Sequence, residues 1–425
     1  MRRWVPARSS IFTGLRGQKL RCFSTVVNNV ERVSVRNGSS GTITIDLHNI
    51  AKVSSSDPLL VYLPPYSTAF TAKPAQLPVF MQRQPTAVIN YRWAGFTAFE
   101  AEDLLTQSRA DEEEDTHLSW PAPIHDAAKA YDWIVENLGP STYTRRDIYL
   151  YGSYLGASLA TSLALTETHP HARTGVRGCV AYNGIYNWTM FLPDHPAHRL
   201  PRLRSALRVL EEILSRPDDP AFRELRRRAE ALFRRPDNLF DPFASPCLFF
   251  HTPGLLVPPS FDASAFIPPT TSLAGLSMLA AEDEAHAAEA LAVAKPPRKS
   301  ALVFPPRKST LKIPETLLLH STPPPLPPSL LRRRQRRKKE YLGNSFAAQA
   351  EELAALMRRS VDKVELKERA KWDDDPEGNW HGEAARRIQV ADTGGLGGST
   401  GDFGLDGGGE EVAAAWLEDR IAHAR

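Results

Sequence analysis

Asp147-Ile148-Tyr149-Leu150-Tyr151-Gly152-Ser153-Tyr154-Leu155-Gly156 reads as a buried strand running into a Gly-x-x-x-Gly turn, with a helix following over Ala157–Thr166. The glycines bracket the point where the chain passes from strand to helix, and the residue midway between them stands at the tip of that turn. The tip residue here is Tyr154. Its neighbour Ser153 precedes the tip and is expected to point away from it, and Ser158 falls inside the helix.

Upstream, Val30–Arg36 and Gly41–Leu47 alternate apolar and polar residues around Asn37-Gly38-Ser39-Ser40, which predicts a hairpin. Leu59–Leu63 and Ala87–Tyr91 are short apolar runs, expected as buried parallel strands. Ile124, Ala127, Ala128, Tyr131, Ile134, Val135 and Leu138 recur at helical spacing, and Pro123 suits the first turn of that helix. Downstream, Val176–Tyr182 and Glu315–Thr322 read as strands, Ser345–Arg359 as a helix, Val361–Arg369 as a strand and Glu410–Ala424 as a closing helix. Between them, residues 186–310 interrupt the alternation with two basic helices, Leu203–Arg216 and Pro220–Arg235, and proline-rich loops. Strand and helix otherwise alternate, which implies a largely parallel sheet covered on both faces.

This order resembles the hormone-sensitive-lipase-like branch of the α/β-hydrolases, the α/β-hydrolase fold-3 family. The likeness rests on Leu60-Val61-Tyr62-Leu63, Ile89-Asn90-Tyr91-Arg92, Pro121-Ala122-Pro123-Ile124-His125-Asp126-Ala127, the Gly152–Gly156 elbow and Leu317-Leu318-Leu319-His320. The resemblance implies a doubly wound α/β-hydrolase fold with a helical cap insertion. The core is expected over 30–190 and 312–425 and the cap over 191–311, with 323–340 and 392–409 as basic/Pro-rich and Gly-rich insertions without packed structure.

Acyl transfer on this fold needs a nucleophile, a base, an acid that orients the base, and two backbone donors for the oxyanion. The resemblance puts Tyr154 in the nucleophile position, and a phenol with a pKa near 10 is scarcely ionised at neutral pH. The segment aligned with the glycine-rich oxyanion loop is Pro64-Pro65-Tyr66-Ser67. The oxyanion-loop positions are Pro65, Tyr66 and Leu155; Pro65 has no N–H to give, so at least one donor is in doubt there, while Leu155 can supply the N–H that follows the tip. Loss of one donor costs about 2.7–4 kcal/mol of transition-state stabilisation. The acid should lie after Leu317–His320, but Pro323–Pro328 follows and no carboxylate occurs between Glu315 and Glu340. The base should follow Val361–Arg369; His381 is the histidine in that region, with Asp373, Asp374 and Asp375 ahead of it. Two readings are therefore carried forward. One is a hydrolase-derived protein without the usual triad that binds a small apolar ligand or a protein partner. The other is an esterase or lipase-like enzyme whose catalytic groups are displaced.

The chain has 425 residues, enough for one large α/β domain with insertions or for two domains. A net charge of +3 gives no global reason to expect nucleic acid as a partner. Cys22, Cys179 and Cys247 are too scattered for a disulfide frame or a zinc site, and no phosphate loop or metal-ligand cluster is present, so no cofactor and no metal is expected. Residues 1–29 are basic and hydroxyl-rich with no acid before Glu31, which resembles a mitochondrial presequence, with Arg21-Cys22-Phe23-Ser24 resembling its cleavage site. A matrix location follows from that reading, and a cytoplasmic one if residues 1–29 are only a basic tail. The run Arg332–Lys339 and the basic stretch Arg202–Arg235 are read as a solvated insertion and a docked cap, with contact to acidic lipid as the alternative.

Overall fold

The computed structural model describes residues 24–27, 30–50, 57–68, 74–93, 119–140, 143–198, 219–263, 296–322, 344–367, 382–394 and 404–424. Residues 1–23, the Leu203–Arg216 helix, Pro323–Pro328, Arg332–Lys339, Asp373–Asp375 and His381 lie outside them.

The expected hairpin forms from β2 (Val30–Arg36) and β3 (Thr42–His48), and β1 (Ser24–Val27) extends it antiparallel at the sheet edge. This first strand falls within the stretch read as a presequence, starting just after Phe23. The apolar runs become β4 (Leu59–Leu63) and β5 (Thr86–Asn90), with every residue of both buried. Helix α1 (Ala122–Asn137) leads to β6 (Arg146–Ser153), helix α2 (Leu155–Glu167) and β7 (Thr174–Tyr182). After the insertion come β8 (Glu315–His320) and β9 (Ile388–Asp392). The nine strands among the described residues are ordered β1-β2-β3-β5-β4-β6-β7-β8-β9, and the pairings from β5 through β9 are all parallel.

Side chains alternate across the sheet, so successive residues of β6 serve different layers. Gly152 of β6 lies against Gly156 and Ala157 of α2. Tyr151 points the other way, where it meets Phe80 edge-on at 5.2 Å between ring centroids. On that second face Gly178 of β7 leaves room for Trp416, which belongs to the closing helix Gly407–Ala424. Both faces are therefore covered, and the architecture is that of the α/β-hydrolase fold. In such a sheet ligand crevices open where the strand order reverses, beyond the carboxyl ends of the strands. Here that point lies between β4 and β6, whose ends carry the 64–68 loop and the elbow.

A buried ion pair joins the hairpin to this layer. Asp126, fully buried on α1, accepts from the Arg92 backbone at 3.1 Å, from its Nε at 2.8 Å and Nη2 at 2.7 Å, and from Asn37 Nδ2 at 2.8 Å. Arg92 Nη1 donates in turn to the Ser40 carbonyl in the β2–β3 turn. Asp126 thus ties helix, strand end and hairpin turn together.

Three expectations are corrected. Val361–Arg369 is not a strand: helix α5 (Phe346–Ser360, numbered after the insertion helices α3 and α4 below) runs on through a π-helical stretch, Val361–Leu366. Val364 and Leu366 suggested alternation because the inward side of the helix carries an acid. Glu365 is buried, and its carboxylate accepts from Ile313 N at 2.9 Å and Arg387 Nη1 at 2.6 Å. The last strand is instead the edge strand β9, introduced by helix α6 (Glu383–Arg387). Pro220–Arg235 is also not one helix but two, α3 (Pro220–Arg227) and α4 (Ala229–Phe233), broken at Arg228 and ended by Arg234 at φ 57°. The Gly-rich stretch 392–409 begins inside β9 at Asp392, and its last residues, Gly407–Gly409, open helix α7 (Gly407–Ala424).

Helix α5 holds the loop after β7. Gln349 is fully buried; its Oε1 accepts from the backbone of Tyr186 at 2.9 Å and Asn187 at 2.8 Å, and its Nε2 donates to Asn187 O at 3.2 Å and Asn344 Oδ1 at 2.9 Å. One turn further on, Glu352 accepts from Asn187 Nδ2 at 3.1 Å. Burial alone would raise the Glu352 carboxyl, but the His251 ring, the Asn187 amide and the Lys299 ammonium together hold it at about 2. Nearby, His195 is buried, and burial pushes its imidazole down to about 4. Its Nδ1 accepts the Ala197 N–H at 3.1 Å, which requires that nitrogen to be unprotonated. An unfolded histidine titrates near 6.5, so the unfolded chain takes up a proton first as the pH falls. Stability is therefore lost from about pH 6.5 down to about pH 4, and the His195 share of that loss reaches about 2 kcal/mol at pH 5. Urea unfolding of wild type and His195→Asn at pH 7 and pH 5 should show a smaller acid loss in the variant.

Candidate functional site

Tyr154 stands between β6 and α2 at φ 50° and ψ −111°. For a residue with a side chain this backbone state costs on the order of 1–3 kcal/mol. It is held by two backbone hydrogen bonds: Tyr154 N donates to Tyr182 O at 2.8 Å and Leu155 N to Pro65 O at 3.3 Å. The elbow geometry expected from the Gly-x-x-x-Gly spacing is present. Ser153 is buried beside the Tyr62 hydroxyl, and Ser158 donates to Ile185 O at 2.6 Å, so neither serine takes the tip.

The Tyr154 ring does not project into open space; it is 6% exposed. It meets Tyr182 edge-on at 5.7 Å and Phe346, the first residue of α5, at 5.6 Å. Phe346 in turn meets Phe222 of α3 at 5.0 Å, and Phe222 meets Phe191 at 5.1 Å. A chain of aromatic rings from the insertion and from α5 thus lies across the elbow. Burial first, and the neighbouring Tyr182 second, drive the Tyr154 phenol well above its ordinary range. The phenolate that a nucleophilic tyrosine would need is therefore scarcer than in water.

Polar groups beneath the rings form one connected set. Asn183, directly after β7 at φ 49°, donates through Nδ2 to the Tyr154 phenol oxygen at 3.2 Å and to Ser321 Oγ at 2.9 Å. The Ser321 backbone N–H returns a bond to Asn183 Oδ1 at 2.9 Å, and Ser321 Oγ donates to Asp219 Oδ2 at 3.3 Å. Asp219 uses its other oxygen to cap α3, accepting from Ala221 N at 2.8 Å and Phe222 N at 3.3 Å. Burial raises the Asp219 carboxyl above its usual range. A carboxylate therefore does reach the end of β8, where sequence reasoning found none, and it comes from the insertion about a hundred residues upstream. The Asp219-Pro220 pair was legible as a helix start; its meeting with Ser321 was not. A carboxylate bonded to a serine hydroxyl is too weak a base to ionise it at neutral pH.

Of the oxyanion positions, Leu155 has its backbone donor engaged. Leu155 is the residue whose N–H was expected to remain available, and that N–H points at the carbonyl of Pro65. The Pro64 carbonyl accepts from the Tyr91 hydroxyl at 2.7 Å, and Ser67 Oγ donates to Tyr91 O at 2.9 Å. Tyr66 packs half-buried against the core. A carbonyl oxygen aimed into the elbow repels a developing oxyanion instead of stabilising it.

The base position moves with the corrected last strand. The loop after the final strand now begins at Thr393, and 393–406 contains no histidine. His381 precedes α6 and β9 in the chain, and it lies outside the described residues. His423, on α7, is exposed and bonds to Asp419 O at 2.6 Å. Among the described residues, no helix is long and apolar enough to cross a membrane.

No protein-family profile matches the sequence, and no curated protein matches it. Solved structures similar to it include a hyperthermophilic esterase from the archaeon Pyrobaculum calidifontis, at 12% identity over 94% of this chain and 85% of that one, with a TM-score of 0.46. Carboxyl esterase 2 from the mycorrhizal fungus Tuber melanosporum is similar at 13% identity over 95% and 88%, with a TM-score of 0.44. A hormone-sensitive lipase from a metagenome library is similar at 11% identity over 79% and 73%, with a TM-score of 0.34.

Proposed function

We propose that this chain is a hydrolase-derived protein that has given up acyl transfer and serves by binding a small apolar ligand or a protein partner. The observation that carries this reading is the pairing of the Leu155 N–H with the Pro65 carbonyl beneath a Tyr154 ring sealed by Phe346. One contact removes an oxyanion donor, and the other fills the space an acyl group would take. The lack of histidine in 393–406 supports the same reading over an esterase with displaced catalytic groups. In further support, the Asn183–Ser321–Asp219 set engages the polar groups at the strand ends with one another. The test is hydrolysis of short p-nitrophenyl esters by purified protein. The rate should equal the uncatalysed background, and turnover that disappears in Tyr154→Phe would overturn the proposal.

The basic, acid-free stretch before Glu31 supports delivery to the mitochondrial matrix. A fluorescent protein carrying residues 1–30 should enter mitochondria; cytosolic fluorescence would refute that part of the reading.

A further inference from the structure

Far from the elbow, helix α5 and its π-helical continuation present Leu356, Arg359, Ser360, Lys363, Val364 and Lys367 along one side, at spacings of three and four residues. The extended segment through Ala301, Leu302, Val303 and Arg307 runs opposite, and together they line a cavity of about 510 Å³ that is open to solvent on one side. That is within the range of small-molecule sites, roughly 300–1,000 Å³.

The lining divides by chemistry. Phe250 is buried, Leu356 and Val364 are half-buried, and they supply an apolar floor. Leu302 and Val303 extend it upward, 47% and 55% exposed. Arg307, Arg359, Lys363 and Lys367 are exposed around this floor, and none of the lining residues is acidic. Two nearby carboxylates are engaged elsewhere: Glu365 turns inward to Arg387 and Lys312, and Glu352 faces Lys299 and Asn187. Asp362, exposed next to Lys363 in the chain, is the acid that precedes the lining residue Lys363 without lining the cavity itself. Among the described residues, no carboxylate lies within 4.0 Å of any of the four cations.

Four cations around a recessed apolar floor complement one negative head group joined to one alkyl chain. We infer that this cavity binds a single-chain anionic amphiphile, a fatty carboxylate, with its head group among Arg307, Arg359 and Lys363 and its chain on Phe250, Leu356 and Val364. The recess of the floor favours an inserted chain over a flat bilayer surface. The site is separate from the elbow and does not depend on the loss of acyl transfer.

The test is fluorescence titration of the full chain with dansyl-undecanoate, followed by competition with laurate, 1-dodecanol and inorganic phosphate. The expected result is saturable binding displaced by laurate and at least tenfold less well by the alcohol or by phosphate. In Arg359→Gln/Lys363→Gln affinity should fall at least tenfold and its salt dependence should weaken, with circular dichroism unchanged because both positions are exposed; Tyr154→Phe should bind as wild type does. Absence of binding, equal competition by laurate and 1-dodecanol, or unaltered affinity in the double variant would overturn the inference. So would binding to phosphatidylglycerol vesicles without binding of monomeric laurate. Loss of binding in Tyr154→Phe would move the ligand to the elbow instead.

Discussion

Gly156→Ala is expected to destabilise the protein by more than about 4 kcal/mol, a loss reserved for severe steric or buried-charge defects. A Cβ at this position would overlap the carbonyl oxygens of Leu63 and Pro64, both backbone atoms at the end of β4. Neither can retreat: Leu63 is fully buried and paired with Gly152, and the Pro64 carbonyl is bonded to the Tyr91 hydroxyl. Native domains are stable by about 5–15 kcal/mol, so most of that margin would go. Urea unfolding should show a much lower midpoint, or no folded baseline. A change under about 1 kcal/mol would mean that α2 does not approach β4 as closely as described. The elbow glycine thus has a purely structural reason to exist, whether or not chemistry occurs beside it.

Tyr154→Ala is expected to cost about 3–5 kcal/mol, the range for truncating a large buried aromatic side chain. At a catalytic tip such a change would leave stability nearly untouched and remove activity. Here the ring is packed against Tyr182 and Phe346, so the loss should appear in folding. A second variant separates packing from backbone strain. Glycine tolerates φ 50° without the penalty that alanine retains. Tyr154→Gly should therefore be about 1 kcal/mol more stable than Tyr154→Ala, the reverse of their usual order in a helix or strand. If both variants unfold like wild type, the ring is not a packing element.

Much of the fold could be read from local signals. The β2–β3 hairpin announced itself through alternation around Asn37-Gly38, and β4, β5 and β6 through short apolar runs bounded by proline and glycine. What failed was decided by long-range partners. Val361–Leu366 looked like a strand because nothing local shows that Glu365 is buried against Arg387 and the Ile313 backbone. That error displaced the last strand, and with it the expected base position, from the loop beyond Asp392 to the region of His381. At the site, Tyr154 and the proline-filled oxyanion loop were legible because each is a departure within a short motif. Asp219 and Phe346 were not, since they reach Ser321 and Tyr154 across about a hundred and nearly two hundred residues of chain. The Leu155–Pro65 bond is a backbone contact between two loops, and side-chain identity gives no sign of it.

Restoring a serine at the tip separates a site that lacks several parts of the acyl-transfer machinery, as proposed above, from one that lacks only the nucleophile. Wild type and Tyr154→Ser should be incubated with a fluorophosphonate, and adducts located by mass spectrometry, with folding of the variant checked in parallel. No adduct is expected at position 154 in either protein, because the Leu155 N–H is turned to Pro65 and no histidine follows β9 in 393–406. Rapid, stoichiometric labelling of the serine in a folded Tyr154→Ser variant would overturn the proposed loss of acyl transfer, since a working base and oxyanion hole would then have been present behind the tyrosine.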